Sequence, residues 1–239
     1  MAAAAMRWLL TRSTRPLVVP FTAVLMLLSL SLQAETKECP DSLTTIIGGT
    51  SSDAQLACSG AHVTRDFMSG LGLYSAVPVT IILSNGLPQA HGTEVLGTYD
   101  PATNAVSLPT LSAARASSRQ SRYLGMAVDR DLYRSFVVHE IAHAIAHQTG
   151  LISPSDHVSH EYLAYAIQIA TMHPHWRNRI LRHHDVEGFS ADKEISLVYL
   201  LLGPDRFAVK SYLHFSRPEN GAHFVHRIST GAFRPGGNQ

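Results

Sequence analysis

The sequence predicts an α+β domain: a small N-terminal mixed sheet with a hairpin, then a long helix, then a mostly helical C-terminal half. Three observations carry this. β-Branched and alternating runs punctuated by Asn-Gly and Asp-Pro fall between residues 77 and 109. From Asp131 onward apolar residues recur at helical rather than strand spacing. No internal repeat or low-complexity block divides the chain, so one domain over residues 35–239 is expected.

Taken in order, "ECPDSLTTIIGGTSSDAQLACSG" reads as an irregular segment leading into a helix capped at Ser52 or Asp53. Leu56, Val63, Phe67 and Leu71 keep close to helical spacing across 54–71. "VPVTIILSNG" reads as a strand closed by a turn. "EVLGTYDPATNAVSLP" reads as a hairpin with arms 95–99 and 105–108. "LSAARASSRQSRYLGM" fits either a helix or a loop. A helix over 131–148 stops at Gly150, and a second over 161–172 is ended by Pro174. "HWRNRILRHH", "ADKEISLVYLLLG" and "PDRFAVKSYLHF" read as three further short helices, and the tail "FRPGGNQ" as loose.

The first 34 residues stand apart from the fold. Arg7, Arg12 and Arg15 are their only charges, and the uncharged run "LVVPFTAVLMLLSLSL" follows, with small Ala34 as the last residue before a cleavage point. This is the pattern of a secretory signal peptide over 1–34, and it predicts an exported protein, periplasmic or secreted. An uncleaved N-terminal membrane anchor is the alternative; the run is short for a span and Pro20 interrupts it. Without those three arginines the 19 basic residues fall to 16 against 18 acidic ones. There is no basic excess or stripe for nucleic acid. The two cysteines, Cys39 and Cys58, predict one disulfide in an oxidising compartment. A monomer is expected.

The chemistry is concentrated in "FVVHEIAHAIAHQTG", residues 136–150. His139 and His143 lie four apart, one turn apart on one helix face, where two imidazoles can share an ion. Glu140 stands beside the first. Zinc lowers the pKa of its water to about 7, and a neighbouring carboxylate can take that proton and return it. The flanking residues are apolar, and burying two histidines and a glutamate among them without partners would be costly. His147 is rotated by about 80° from His139 and lies about 12 Å further along the axis, so it cannot join the same ion from a straight helix. The extended H-E-x-x-H-x-x-G-x-x-H pattern is excluded, because Ala146 and Thr149 occupy its glycine and third histidine.

With His147 and the extended motif excluded, the third ligand must come from another element, and two cysteines cannot form a four-thiolate site, so zinc here would be held mainly by His and carboxylate. Glu161, in "SHEYLAYAIQ", is 18 residues after His143, which leaves room for a turn and an antiparallel return. His157 and His160 compete with it. Adjacent residues point about 100° apart, so His160 and Glu161 do not both face the ion.

"HEIAH" followed by "HEYLA" resembles the gluzincin branch of the zincin metallopeptidases, which carry H-E-x-x-H on one helix and E-x-x-A on the next. The order of helix, strands, hairpin and active helix, over about residues 54–172, is similar to the zincin fold. The resemblance implies His139, His143 and Glu161 as ligands of one Zn2+ per chain and Glu140 as general base and acid. It also implies an edge strand that pairs with an extended peptide or protein substrate, for which the hairpin arms are the candidates. Some gluzincins carry an aspartate four residues after the ligand glutamate; here that position is Tyr165. Tyr165, Tyr212, His214, His223 and His226 are the candidates for an oxyanion donor. His173, His175, His183 and His184 are read as surface residues.

An exported zinc hydrolase, a metallopeptidase, is therefore the expectation. A zinc-binding domain without peptidase activity is the alternative. A metal-handling protein ranks last, because the histidines are scattered rather than gathered in tracts.

Overall fold

The computed structural model describes residues 35–90, 93–119 and 122–236; the expected leader lies outside them. The fold is α+β. Five strands form one mixed sheet: β1 (Thr36–Glu38), β2 (Thr44–Gly48), β3 (Val79–Ser84), β6 (Thr98–Asp100) and β7 (Ala105–Pro109), in the order β1-β2-β3-β7-β6. β2, β3 and β7 run parallel, while β1 and β6 close the two edges antiparallel. Short β4 (Gln89–Ala90) and β5 (Thr93–Glu94) pair separately.

The alternation of β3 explains the layering. Val79, Ile81 and Leu83 are buried, and in register Ile46, Ile81 and Val106 form one inward row. The neighbouring Ile82 points to the other face and stays 39% exposed. Helices α1 (Ser51–Gly70) and α3 (Arg130–Thr149) pack against each other and the sheet. Their crossing is tight: a Cβ at Gly60 would lie 2.7 Å from the Val137 Cβ, so only glycine fits there. Beyond α3 come α4 (His157–Ala170), α5 (Pro174–His184), α6 (Leu197–Leu202), α7 (Pro204–Phe215) and α8 (Phe224–Ser229), with α7 packed on α4. Cys39 and Cys58 form a disulfide that ties the chain after β1 to the middle of α1. No described helix is long and apolar enough to cross a membrane.

Several boundaries differ from the sequence reading. The irregular start contains β1 and β2, invisible locally because β2 depends on a parallel partner more than thirty residues away. The cap of α1 is Thr50, not Ser52 or Asp53. Asp53 is instead the reciprocal member of a capping box, accepting from the Thr50 N–H at 2.9 Å while its own N–H reaches the Thr50 hydroxyl at 3.2 Å. The first hairpin arm is shorter than 95–99 and begins at Thr98. The ambiguous stretch opens as α2 (Leu111–Ser117), capped by Thr110 with Leu111 and Ala114 buried.

Gly150 ends α3 with φ 64°, as its position suggests. α4 starts a full turn before Glu161, because Asp156 caps it by accepting from the Ser159 N–H and hydroxyl. Pro174 does not end α4; it opens α5, where a missing N–H costs nothing. "ADKEISLVYLLLG" is interrupted: a 3-10 turn, Asp192–Glu194, precedes α6. The described part of the tail, residues 233–236, is anchored: Phe233 is buried against Tyr162 and Gly236 bridges to Ser196.

Candidate metal centre

α3 is buried on almost every side through its middle, and its polar residues converge on α4. His139 and His143 project from one face, a turn apart, with their Nε2 atoms 3.0 Å from each other. Starting α4 at His157 places Glu161 in its second turn, directly opposite. Glu161 Oε2 lies 3.5 Å from His139 Nε2 and Oε1 lies 3.4 Å from His143 Nε2. One ligand atom from each residue falls within 4.8 Å of the others; among the described residues no other group of three or more His, Cys, Asp or Glu gathers in this way. These three residues could hold a metal ion.

The competitors are placed otherwise. His157 and His160 line the same cleft but do not join the cluster. The His160 ring stands 6.2 Å from that of His143, and its Nε2 is buried without a partner. Burial and the nearby His143 push His160 down to about 4, so it is neutral near pH 7. His147 packs edge-on against Tyr99 at 6.0 Å in the cleft wall, away from the cluster.

Burial alone would push the Glu161 carboxyl up, yet the attraction of His143, with His139 beside it, holds it well below the usual carboxylate range. Glu140, on the adjacent flank of α3, has no such set of partners. Burial raises it to about 7, with His143 pulling down and Glu161 adding repulsion. The backbone before β6 passes so close to it that a Cβ at Gly97 would overlap the Glu140 carboxylate. The cleft over these groups is about 1110 Å³ and is walled by residues 94–99 on one side and 202–206 on the other.

Of the oxyanion candidates, only Tyr165 lines the cleft, with its ring 4.5 Å from that of His139. Burial pushes its phenol well up, so the hydroxyl keeps its proton near neutral pH. His214 belongs to the core instead, its Nδ1 2.8 Å from the Tyr162 hydroxyl. Tyr212, His223 and His226 do not line the cleft. Among the histidines read as surface residues, His173, His175 and His183 are exposed. His184 is not a simple surface residue: it lines the cleft with a buried Nε2, because α5 turns that face inward.

Sequence reasoning missed the residues behind the histidines. Gln168, fully buried, lies 3.2 Å from His139 Nδ1 through its Oε1, donates to Ser135 Oγ at 3.1 Å, and accepts from the Tyr123 hydroxyl at 3.2 Å. A signal existed. Ser135 is one turn before His139 and Gln168 is two turns after Glu161, each a polar residue on the face that carries a candidate ligand.

A family model described as a family of unknown function (DUF6639) matches residues 44–236, and the chain belongs to that family. No curated protein and no solved structure matches the chain.

Proposed function

We propose that this member of a family of unknown function is an exported zinc-dependent hydrolase of zincin type, acting as a metallopeptidase with Glu140 as its general base and acid. The observation that carries the reading is the His139–His143–Glu161 cluster with Glu140 beside it. In a tetrahedral zinc site with bonds of about 2.0–2.1 Å the ligand atoms stand about 3.3 Å apart. Here the two Nε2 atoms are 3.0 Å apart, one Glu161 oxygen is 3.5 Å from His139 and the other 3.4 Å from His143, spacings close to that value, so the residues present fit zinc. The set of two imidazoles and one carboxylate with an open side toward the cleft is that of catalytic rather than closed structural zinc.

Zinc, when bound, would supply a water acidified to about pKa 7 and a Lewis acid for a carbonyl oxygen. The chain's own residues do the rest. Glu140 takes a proton from the attacking water, and the same carboxyl delivers it to the departing amine nitrogen as the C–N bond breaks. Tyr165 donates its hydroxyl proton in a hydrogen bond to the developing oxyanion. β6 is an edge strand, and residues 95–99 line the cleft. An extended peptide paired there would bring its carbonyls past the three ligands. The Cys39–Cys58 disulfide supports an oxidising compartment and, with it, export.

The test is Glu140→Gln. It keeps the volume and the ligands but cannot accept a proton. Zinc content should stay at that of the wild type while hydrolysis of a peptide library falls by about 10³-fold, within the usual range for a general acid–base residue. Cleavage unchanged by this substitution would overturn the mechanism. Zinc binding with no cleavage in either protein would make the chain a zinc-binding module.

A further inference from the structure

Behind His139 a chain of hydrogen bonds has its polarity fixed from one end. The Ser135 hydroxyl has one proton, and it goes to the Leu132 carbonyl at 2.7 Å, a group that can only accept. The Ser135 oxygen must therefore act as an acceptor toward Gln168, and the atom of Gln168 facing it at 3.1 Å must be the amide nitrogen. That choice turns the amide oxygen the other way, toward His139 Nδ1 at 3.2 Å and the Tyr123 hydroxyl at 3.2 Å. Both of those groups can donate to it. The reversed amide would require the Ser135 proton to leave the Leu132 carbonyl and turn toward Gln168, giving up the 2.7 Å contact. With Gln168 oriented in this way, His139 must carry its proton on Nδ1. In a neutral imidazole that leaves Nε2 as a bare lone pair, and Nε2 is the atom that faces His143 and Glu161.

We propose that Gln168, held by Ser135 and Tyr123, is a positioning residue that locks His139 in the Nδ1-protonated tautomer and so presents its Nε2 as a ready-made metal ligand. Gln168 takes the part that an acidic partner four residues after Glu161 would otherwise play, since Tyr165 stands there and packs against the His139 ring. It reaches His139 from two turns further along α4, and it recruits α3 itself, through Ser135, to set its direction. The metal part of this inference rests on the zinc reading above, whereas the tautomer does not.

Two measurements decide it. The first is the imidazole ¹⁵N shift pattern of His139 in the metal-free full chain at pH 8, assigned with His139→Gln as the blank. The Nδ1–H pattern is expected in the wild type, and a mixture of tautomers in Gln168→Leu. The second is Zn2+ affinity by competition with a chromophoric chelator. Gln168→Leu should bind Zn2+ about 10–100-fold more weakly, the usual loss when the partner of a ligating histidine is removed. Gln168→Glu keeps an acceptor toward Nδ1–H and should bind at least as tightly as the wild type, a rescue that a packing role alone would not give. Equal affinity in Gln168→Leu and wild type, or an Nε2–H pattern in the wild type, would overturn the proposal. A wild type that takes up no Zn2+ but shows the Nδ1–H pattern would keep the positioning role and refute the zinc reading.

Discussion

Two carboxylates in this molecule, buried Asp53 and half-buried Glu161, are held in different ways. Asp53 sits in the first turn of α1, is 4% exposed, and is fully occupied. Its oxygens accept the Thr50 N–H at 2.9 Å, the Thr50 hydroxyl at 2.6 Å and, from across the fold, the Leu111 N–H at 3.0 Å. Glu161 is half-buried at the cleft, and its oxygens face the ring nitrogens of His139 and His143. Fixed dipoles close the first site and leave nothing to bind. The second brings two imidazoles to one carboxylate, a set that could hold a metal ion. Withdrawing a carboxylate from water is costly, and the two positions meet that cost with different partners.

The sharpest way to break the comparison is Glu161→Ala. Zinc content per chain should fall from about one to near zero, because two imidazoles alone hold the ion far more weakly than three ligands. Metal-free stability should barely change. Full zinc retention would move the third ligand to His157 or His160.

On the structural side, replacing Cys39 and Cys58 by serine should lower the unfolding free energy by about 3 kcal/mol, given the short loop they close, and leave zinc stoichiometry untouched. Urea melts with metal assays on the same samples would check both halves. A loss of metal there would mean that the two regions are coupled.

Tyr165→Phe keeps the ring packed on His139 and removes only the hydroxyl. The expected result is a fall in kcat of about 10²-fold with KM and zinc affinity little changed, as for loss of one oxyanion donor. An unaltered kcat would take Tyr165 out of the chemistry.

The smallest effect belongs to Asp53. Asp53→Ala should cost about 2 kcal/mol, by removing the capping box and leaving the Leu111 N–H buried without a partner. Burial pushes the Asp53 carboxyl up, but the Thr50 hydroxyl, the Thr50 and Leu111 N–H groups and Arg130 pull it further down, so its folded pKa lies below the ordinary value. A depressed carboxyl contributes stability that is fully present above its unfolded pKa of about 3.9 and is lost as pH falls through the lower, folded pKa. Wild type should therefore lose stability more steeply than Asp53→Asn as pH falls below about 4, measured by urea melts across the acid range.

Much of this protein is set by local sequence. The four-residue spacing of His139 and His143 fixes two imidazoles on one helix face wherever that helix sits, because the period of a helix is local. The same holds for the Gly150 stop, the Val79–Ser84 strand and the exclusion of His147. Residues with competing local readings were decided by packing. Nothing within "HVSHEYLAYAIQ" says which of His157, His160 and Glu161 turns toward α3. That depends on how α4 is rotated against α3, and so on the Asp156 cap that sets where α4 begins and on the apolar face it buries. The parallel partners of β2, the inward turn of His184 and the hydrogen bonds from Gln168 to Ser135 and His139 likewise join residues far apart in the chain. Sequence alone determined the chemistry that one helix can offer. The tertiary structure decided what stands opposite, because the approach of two helices is fixed by the side chains of both and is written in neither one alone.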